Sequence, residues 1–347
     1  MSRIPRRLLV TGGAGFIGSH FVRRMLRRHR GIEVTVLDKL TYAGNLANLA
    51  DVAERPGYRF VRGDVADPRA VERVVARADA IVNFAAESHV DRSIDAPDEF
   101  IQTDIHGTFV LLEAARRHGT ARFLQISTDE VYGNLATGRA SEADQLRPSS
   151  PYAASKAGAD MLVGAYQATY GVPSVITRST NNFGPNQYTE KVIPLFITNA
   201  LEGQRLPVYG DGRQSREWLF VTDHCEALEL VLTRGEPGET YNVGSGFELT
   251  NLELAERILE LTGRPSSLVE HVEDRPAHDR RYAVDSSRLR ALGWEAEHRF
   301  EAALAETVAW YRANVDWWRP LRSGEYLASY RRQALRRARR APTRARQ

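Results

Sequence analysis

The stretch that decides the fold lies near the start of the chain and reads Leu8-Leu9-Val10-Thr11-Gly12-Gly13-Ala14-Gly15-Phe16-Ile17-Gly18. Its first residues have the apolar character of a buried strand, and glycines follow at 12, 15 and 18. Glycines at this spacing allow a tight turn, the close approach of a pyrophosphate and close packing of a helix on the strand. The N-terminus of that helix faces the phosphates. The stretch therefore predicts a strand–turn–helix unit that binds a dinucleotide.

The first half of the chain alternates between strand-like and helical patterns, which predicts parallel strands joined by crossover helices. The strand-like runs are Arg7–Thr11, Glu33–Leu37, Arg59–Arg62, Ala80–Phe84, Arg122–Ser127 and Ser174–Thr177. The helical patterns are Phe16–Arg28, Pro68–Arg77, Phe100–His118 and Tyr152–Tyr170. We therefore predict an α/β fold with a doubly wound parallel Rossmann sheet and a smaller C-terminal substrate-binding domain.

The alternation becomes irregular after Asn181, and this change sets the predicted domain limits. Gly, Pro, Arg and aromatic residues increase across 183–217 and 263–300. We predict that residues 1–181 form the dinucleotide-binding domain, to which 218–243 return. Residues 182–217 and 244–330 are predicted to form the substrate domain, and 331–347 a basic, disordered tail.

The composition excludes several classes of protein. The chain has 347 residues, 42% of them hydrophobic, and no apolar run approaches the roughly 20 residues that cross a bilayer. The single cysteine, Cys225, excludes an intramolecular disulfide framework and favours a reducing, cytoplasmic location. Residues 331–347 hold eight arginines and no acid, so a net charge of +3 leaves −5 on the remaining chain. The basicity therefore belongs to the tail, and we expect neither a nucleic-acid nor a membrane partner.

Lysine is rare in this chain and therefore informative. There are 44 arginines but three lysines, at positions 39, 156 and 191. Where arginine replaces lysine this widely, a remaining lysine is more often needed for its compact ammonium. Lys39, Lys156 and Lys191 are therefore candidate functional residues.

The choice of dinucleotide rests on Asp38, which ends the second strand 20 residues after Gly18. A carboxylate there accepts a hydrogen bond from a ribose 2′-hydroxyl and repels a 2′-phosphate, which favours NAD over NADP. Asp64 and Val65 end the third strand, where they could hold an adenine edge. In another context Asp38 would be an ordinary turn residue; after this glycine turn it indicates NAD.

Two short motifs carry the predicted chemistry. Thr128-Asp129-Glu130 ends the fifth strand, at the sheet edge where open α/β sheets bind ligands. Tyr152 and Lys156 are one helical turn apart, so both side chains share a face and the ammonium favours the phenolate. Each motif alone is common, as a helix cap or a solvated helix face. Together, downstream of a dinucleotide turn, they predict an oxidation followed by elimination of a neighbouring group.

With these motifs the chain resembles the extended short-chain dehydrogenase/reductase family, and within it the dTDP-glucose 4,6-dehydratases. The resemblance covers roughly residues 7 to 325, and its specific part is the Thr-Asp-Glu element, because the family's epimerases lack the Asp-Glu pair. The matching stretches are Thr11–Gly18, Asn83–Ser93, Ser127–Gly133, Tyr152–Lys156, Asn181–Pro185, Tyr209–Gly212 and Asp274–Tyr282.

The resemblance implies a lyase that dehydrates dTDP-glucose to dTDP-4-keto-6-deoxyglucose with NAD as cofactor. Tyr152 would take the 4-hydroxyl proton during oxidation at C4, and Thr128 would hydrogen-bond the 4-oxygen. Glu130 would then remove the C5 proton while protonated Asp129 donates to the departing 6-hydroxyl, before reduction at C6. Lys156 would bind the nicotinamide ribose and lower the pKa of Tyr152.

The resemblance also implies which residues bind the cofactor and the substrate, and it implies no metal. The expected cofactor residues are Gly12, Gly15, Phe16, Ile17, Gly18, Asp38, Lys39, Leu40, Thr41, Asp64, Val65, Phe84, Ala85, Ala86, Thr103, Tyr152, Lys156 and Asn182. The expected substrate residues are Ser88, Thr128, Asn181, Lys191, Val192, Pro207, Val208, Tyr209, Arg216, Asn251, Asp274, Arg275 and His278.

Assembly and two competing functions complete the expectations. The predicted helices Phe100–His118 and Tyr152–Tyr170 carry much apolar surface, which with the resemblance predicts a homodimer. The apolar residues in question are Val110, Leu111, Met161, Leu162 and Val163. One alternative is a UDP- or GDP-sugar 4,6-dehydratase or an epimerase. The other is a non-catalytic NAD-binding sensor or scaffold, which would have no use for the two catalytic motifs.

Overall fold

The computed structural model describes residues 4–274 and 278–322, so Arg275 and the predicted tail at 331–347 lie outside the described residues. In chain order the strands are β1 (Arg7–Thr11), β2 (Glu33–Asp38), β3 (Tyr58–Arg62), β4 (Ala80–Asn83), β5 (Arg122–Thr128), β6 (Ser174–Ser179), β7 (Asn181–Phe183), β8 (Leu206–Tyr209), β9 (Ser215–Phe220), β10 (Thr240–Val243), β11 (Glu248–Thr250) and β12 (Val269–Val272). The helices are α1 (Phe16–Arg28), α2 (Pro68–Val75), α3 (Val90–Asp95), α4 (Pro97–Phe100), α5 (Gly107–His118), α6 (Pro151–Tyr170), α7 (Val192–Leu201), α8 (Val221–Arg234), α9 (Asn251–Thr262), α10 (Ser287–Ala291), α11 (Phe300–Ala313) and α12 (Val315–Trp318).

The larger sheet is parallel throughout and has the strand order β10-β6-β5-β4-β1-β2-β3. Successive residues of β1 face opposite sides, so that Leu8 and Val10 pack in one core with α1 and α8. Leu9 packs in a second core with α2, α5 and α6. Helices therefore cover both faces, and the predicted doubly wound parallel sheet is confirmed. The order reverses between β1 and β4, where such sheets bind their ligands.

The predicted elements of the first half lie close to the observed ones. The bounds of β1 and α1 are those predicted, and the other strands of this half differ by one or two residues. Helix α6 begins one residue early, at Pro151, because Ser150 caps it by accepting a hydrogen bond from Ala153 N at 3.1 Å. Strong periodicity and turn residues decide these elements locally.

The predicted single helix over Phe100–His118 is wrong in one respect. Helix α4 ends at Phe100, residues Ile101–His106 form a π-helical turn, and α5 begins at Gly107. This wider turn buries both Thr103 and Asp104, which a continuous α-helix would present differently. The turn therefore brings two polar side chains into the interior of the larger domain.

Two small sheets and a separate core lie beyond β6. Strand β9 pairs in parallel with β7 and antiparallel with β11, while β8 pairs with β12. Trp218 and Phe220, predicted to return to the large sheet, instead lie in β9 and pack in this separate core. The chain returns to the large sheet only at α8 and β10. The prediction failed for β9 because the pairing of Asn181 with Trp218 is a long-range contact that no local pattern reveals. The remaining domain limits stay a prediction.

The apolar surface of α5 and α6 differs from the expected one. Val110, Leu111 and Val163 are buried against the sheet, so the prediction that they form extra surface is wrong. Met161 is 64% exposed, and the other large exposed apolar residues of this region are Ile101, Phe109 and Tyr170. Among the residues described, no helix combines the length and apolar character that spanning a bilayer requires.

Candidate active site

A cavity opens at the carboxyl ends of β1, β2, β4 and β5, the edge at which sheets of this order bind ligands. Of the expected cofactor residues, all except Leu40 line it. They are Gly12, Gly15, Phe16, Ile17, Gly18, Asp38, Lys39, Thr41, Asp64, Val65, Phe84, Ala85, Ala86, Thr103, Tyr152, Lys156 and Asn182. The topology thus brings together residues that are up to 170 positions apart in sequence.

The glycine turn leaves room for a ligand and none for side chains. Gly12 has a φ of +65°, and a Cβ there would lie 2.7 Å from the Ala85 nitrogen. A Cβ at Gly18 would lie 2.4 Å from the Gly12 carbonyl oxygen. Helix α1 then begins at Phe16 with no acidic residue in its first turn. The first N–H groups of α1 therefore suit a pyrophosphate.

Asp38 is held by two backbone groups at the wall of this cavity. Its Oδ2 accepts from Ala14 N at 3.0 Å and its Oδ1 from Leu40 N at 2.8 Å. Leu40 has a φ of +57°, a left-handed conformation that directs its N–H to Asp38. Leu40 thus acts on the cavity through Asp38, and the fixed carboxylate can still accept from ribose hydroxyls.

All three lysines of the chain line the cavity. Lys156 Nζ donates to the Ile126 carbonyl at 2.6 Å, and Lys191 Nζ donates to the Ser88 carbonyl. Lys39 Nζ donates to Thr103 Oγ1 at 3.0 Å. In this arginine-rich chain, lysine is therefore concentrated where a dinucleotide and its substrate would meet.

The Thr128-Asp129-Glu130 motif forms a tight turn at the end of β5. Thr128 Oγ1 accepts from Glu130 N at 3.3 Å and lies 3.2 Å from Asp129 Oδ1, to which it donates. Asp129 is 3% exposed, whereas Glu130 is half-buried. Burial, followed by the nearby charges of Glu130 and Glu217, raises the pKa of Asp129 well above its ordinary value. Asp129 is therefore suited to carry a proton at neutral pH.

Tyr152 lies opposite this turn, but its electrostatic setting differs from the expected one. Desolvation, followed by the charges of Glu130 and Asp104, raises the pKa of Tyr152 well above its ordinary value, and a hydrogen bond with Thr128 lowers it in part. The expected lowering of this pKa by Lys156 is outweighed, because three carboxyls lie near the phenol and the ammonium donates to a backbone carbonyl. A phenolate therefore requires a further positive charge in the cavity.

A second cavity adjoins the first. The walls of both cavities include Ser88, Glu130, Asn181, Glu190 and Lys191. Of the expected substrate residues, the second cavity is lined by Ser88, Asn181, Lys191, Val192, Pro207, Val208, Tyr209, Arg216, Asn251 and His278. Thr128 lines the first cavity instead, and Arg275 lies outside the described residues.

Asp274 does not line the second cavity but supports one of its walls. Its Oδ1 lies 2.6 Å from His278 Nδ1, and its Oδ2 accepts from Gln214 Nε2 at 2.9 Å. Arg216 Nη2 donates to the Asp279 carbonyl at 2.9 Å. The buried guanidinium of Arg216 is thereby fixed at the cavity wall, where it can bind an anion.

Several buried polar atoms of the first cavity have no hydrogen-bond partner among the described residues. They include Asp129 Oδ2, Thr180 Oγ1 and Asn181 Oδ1. Because buried polar atoms are nearly always satisfied, these atoms are suited to a bound ligand. Within residues 4–274 and 278–322, no group of three or more His, Cys, Asp or Glu is arranged to hold a metal ion.

Sequence reasoning missed Asp104 and Glu190. Asp104 accepts from Ser155 Oγ at 2.6 Å and from Glu87 N at 2.9 Å, and burial raises its pKa to about 6. Its position depends on the π-helical turn, which no periodicity revealed. Glu190 lines both cavities and directly precedes Lys191, so the rare lysine was the available signal.

Comparisons with known proteins agree with this geometry. The family described as GDP-mannose 4,6 dehydratase matches residues 9–307. The chain is 55% identical over 322 residues to the dTDP-glucose 4,6-dehydratase of Streptomyces niveus, covering 91% of this chain and 96% of that protein. It is also similar to the crystal structure of DesIV, a dTDP-glucose 4,6-dehydratase from Streptomyces venezuelae with NAD and TYD bound. That match has a TM-score of 0.90 and 52% identity, covering 91% of this chain and 99% of DesIV.

A solved structure of lower sequence identity shares the fold but belongs to an epimerase. The UDP-glucose 4-epimerase of Thermus thermophilus, in complex with NAD, has a TM-score of 0.83 and 34% identity, covering 89% of this chain and 99% of its own. Similarity is thus clearly higher to the dehydratases than to this epimerase. The chain therefore belongs to the dTDP-glucose 4,6-dehydratase family of extended short-chain dehydrogenase/reductases.

Proposed function

We propose that this chain is a hydro-lyase that converts dTDP-glucose to dTDP-4-keto-6-deoxyglucose with NAD as cofactor. The observation that carries the proposal is the pair Asp129 and Glu130, one buried with a raised pKa and one half-buried in the wall shared by both cavities. An oxidation at C4 alone needs no such pair. Elimination across C5 and C6 needs both a base and an acid. Family membership and the ligands of the related DesIV structure support the same reaction.

The residues of the first cavity fit NAD. The turn at Gly12 and Gly18 excludes side chains, the first turn of α1 suits a pyrophosphate, and Asp38 favours a free 2′-hydroxyl. Bound NAD+ supplies the hydride acceptor, later the hydride donor, and a positive charge in the cavity that favours the phenolate of Tyr152. Because the cofactor is restored in each turnover, we expect the protein to be purified with NAD bound.

The second cavity fits the nucleoside diphosphate of the substrate. Arg216 and Lys191 supply positive charge for a diphosphate, while Pro207, Val208 and Tyr209 offer an apolar and aromatic wall for a base. The sugar would then extend toward Glu130, which lines both cavities. In this arrangement the reacting carbons would lie between the two ligand sites.

The chain's own residues divide the proton transfers as follows. Tyr152, as phenolate, takes the proton of the 4-hydroxyl while Thr128 hydrogen-bonds the 4-oxygen. The resulting ketone acidifies C5, and Glu130 removes the C5 proton. Asp129 donates its proton to the 6-hydroxyl, which leaves as water. Lys156 holds the nicotinamide ribose, and a final proton returns to C5 when C6 is reduced.

A panel of sugar nucleotides tests the proposal. The protein is incubated separately with dTDP-glucose, UDP-glucose and GDP-mannose, and the masses of the products are measured by mass spectrometry. We expect loss of one water from dTDP-glucose, together with the alkaline chromophore of a 4-keto sugar. The matched control is Asp129→Asn/Glu130→Gln, which should bind the nucleotide but form no dehydrated product. An unchanged mass with every sugar nucleotide would refute the dehydratase assignment. Loss of water from one of the other sugar nucleotides alone would identify that compound as the substrate.

We also propose that the protein is a cytoplasmic homodimer. The exposed apolar residues Ile101, Phe109, Met161 and Tyr170 lie on or beside α5 and α6, which supports an isologous contact between these helices in two copies. The one cysteine, Cys225, is buried and free, which suits a reducing compartment.

A further inference from the structure

Residues 184–191 connect β7 to α7 and cross onto the dinucleotide-binding domain; we call them the bridging segment. Near its start, His20 Nε2 of α1 donates to the Pro185 carbonyl at 2.9 Å. Near its end, Tyr188 and Glu190 line the first cavity. The bridging segment therefore forms a wall of this cavity that does not come from the large sheet.

Three side chains join this wall to the dinucleotide-binding domain. The guanidinium of Arg92 lies 3.6 Å from the ring centroid of Tyr42, and its Nε and Nη2 each lie 3.2 Å from Glu190 Oε2. The ring of Tyr188 packs edge-on against Tyr42 with centroids 5.4 Å apart. We call Tyr42, Arg92 and Glu190 the clasp.

The clasp connects two walls of the same cavity. Tyr42 lies four residues after Asp38, and its neighbours Thr41 and Ala43 line the first cavity. Glu190 lines that cavity from the bridging segment. Its side chain is 3% exposed, so its buried carboxylate depends on Arg92 for compensation. Separating the bridging segment from Arg92 and Tyr42 would break both the Arg92–Glu190 ion pair and the edge-on contact between the Tyr188 and Tyr42 rings.

We propose that the clasp sets how slowly bound NAD leaves the protein. The inference rests on the proposed function, in which NAD is regenerated in each turnover and has no need to leave. A dinucleotide that bridges the glycine turn and Tyr152 would lie between these walls, so separation of the walls would speed its release. Tyr42, Arg92 and Glu190 are thus positioning residues that act on cofactor residence and take no part in the chemistry.

Release of NAD from the purified holoenzyme tests the clasp. The clasp variants are Tyr42→Leu, which removes the aromatic ring, and Arg92→Met/Glu190→Gln, which removes both charges and leaves neither unpaired. The matched control is Arg24→Met/Glu229→Gln, which removes another partly buried ion pair, at 2.5 Å between α1 and α8. Each protein is freed of unbound NAD and mixed with an NAD glycohydrolase that destroys released NAD. The bound NAD that remains is measured over time.

We expect both clasp variants to lose NAD at least about tenfold faster than the parent, the factor for losing a contact of cation–π strength, with the control within about twofold. With NAD added in excess, turnover per loaded site of Tyr42→Leu, whose side chain lines neither cavity, should stay within about threefold of the parent. Unchanged release in the clasp variants would overturn the inference, as would equal acceleration in the control. If the double variant fails to fold, Tyr42→Leu decides alone. No sugar nucleotide is present, so this result is independent of whether dTDP-glucose is dehydrated.

Discussion

Asp129 and Glu130 are adjacent in sequence but differ in their surroundings, and this difference supports the roles proposed for them. Asp129 is almost fully buried beside two other carboxyls, which favours its neutral form. Glu130 is half-buried and lines both cavities. Burial raises the pKa of Asp129, which supports its proposed role as the acid, and the position of Glu130 in both cavities supports its proposed role as the base.

Three single substitutions should separate the steps of the reaction. Tyr152→Phe removes the base for the 4-hydroxyl, so no reduced nicotinamide should form when substrate is added. Glu130→Gln should permit oxidation at C4 but slow removal of the C5 proton by about 10²–10⁴-fold, so that reduced nicotinamide accumulates. Asp129→Asn should retain exchange of the C5 proton with solvent deuterium and impair loss of the 6-hydroxyl. Stopped-flow absorbance and exchange followed by NMR distinguish these results. Equal loss of hydride transfer in all three variants would contradict the division of roles.

Burial of the Asp129 carboxyl should also make the free energy of unfolding depend on pH. Its pKa is raised in the folded protein, so the folded state binds the proton more tightly than the unfolded state. In the unfolded state an aspartate has a pKa of about 3.9. Stability should therefore fall as the pH rises from about 4 toward the folded-state pKa. Asp129→Asn lacks this proton, so its free energy of unfolding should exceed that of the parent by more at pH 8 than at pH 5. Urea unfolding at both pH values measures the difference. A variant less stable at pH 8 than at pH 5, relative to the parent, would contradict the assignment.

Single residues differ in how far the sequence could predict them. The glycine spacing and Asp38 follow from local chemistry, so their position at the cavity could be anticipated. The pKa of Tyr152 could not, because it depends on Asp104, which the fold places nearby from a distant helix. Long-range electrostatics requires the three-dimensional arrangement.

Among the elements, the π-helical turn at Ile101–His106 most affects the active site. It ends one helix, starts another and directs Thr103 and Asp104 inward. The sequence pattern of apolar residues is compatible with a continuous helix, so only the structure reveals the wider turn. By contrast, β1 and α1 were predictable to the residue because a glycine turn joins a short apolar run to a strongly amphipathic helix.

The exposed face of α5 and α6 should hold two copies together. Met161→Glu and Phe109→Glu place charges on side chains that are 64% and 40% exposed, so each should leave the monomer folded but break the dimer. Leu261→Glu, at a 37% exposed position on α9, is the control and should remain dimeric. Light scattering at micromolar protein gives the mass of each. A monomeric parent, or a control that dissociates equally, would contradict this interface.

At the scale of the whole molecule, the two cavities adjoin and share one wall. The large sheet supplies much of the first cavity, and α3, α7, β8 and β9 supply most of the second. The sheet was predictable from its repeated strand–helix pattern. The small sheets were not, because β7 pairs with β9 across more than 30 intervening residues and β11 joins in the opposite direction. Long-range pairing of short strands leaves little local signal.

The most direct test follows the hydrogen at C4. With dTDP-glucose that carries deuterium at C4, the account predicts a product that has lost one ordinary water and carries deuterium at C6, because the transferred hydride never leaves the protein. NMR and mass spectrometry of the product locate the label. Deuterium that returns to C4 in a product of unchanged mass would identify an epimerase, and deuterium lost to the solvent would contradict the internal hydride transfer.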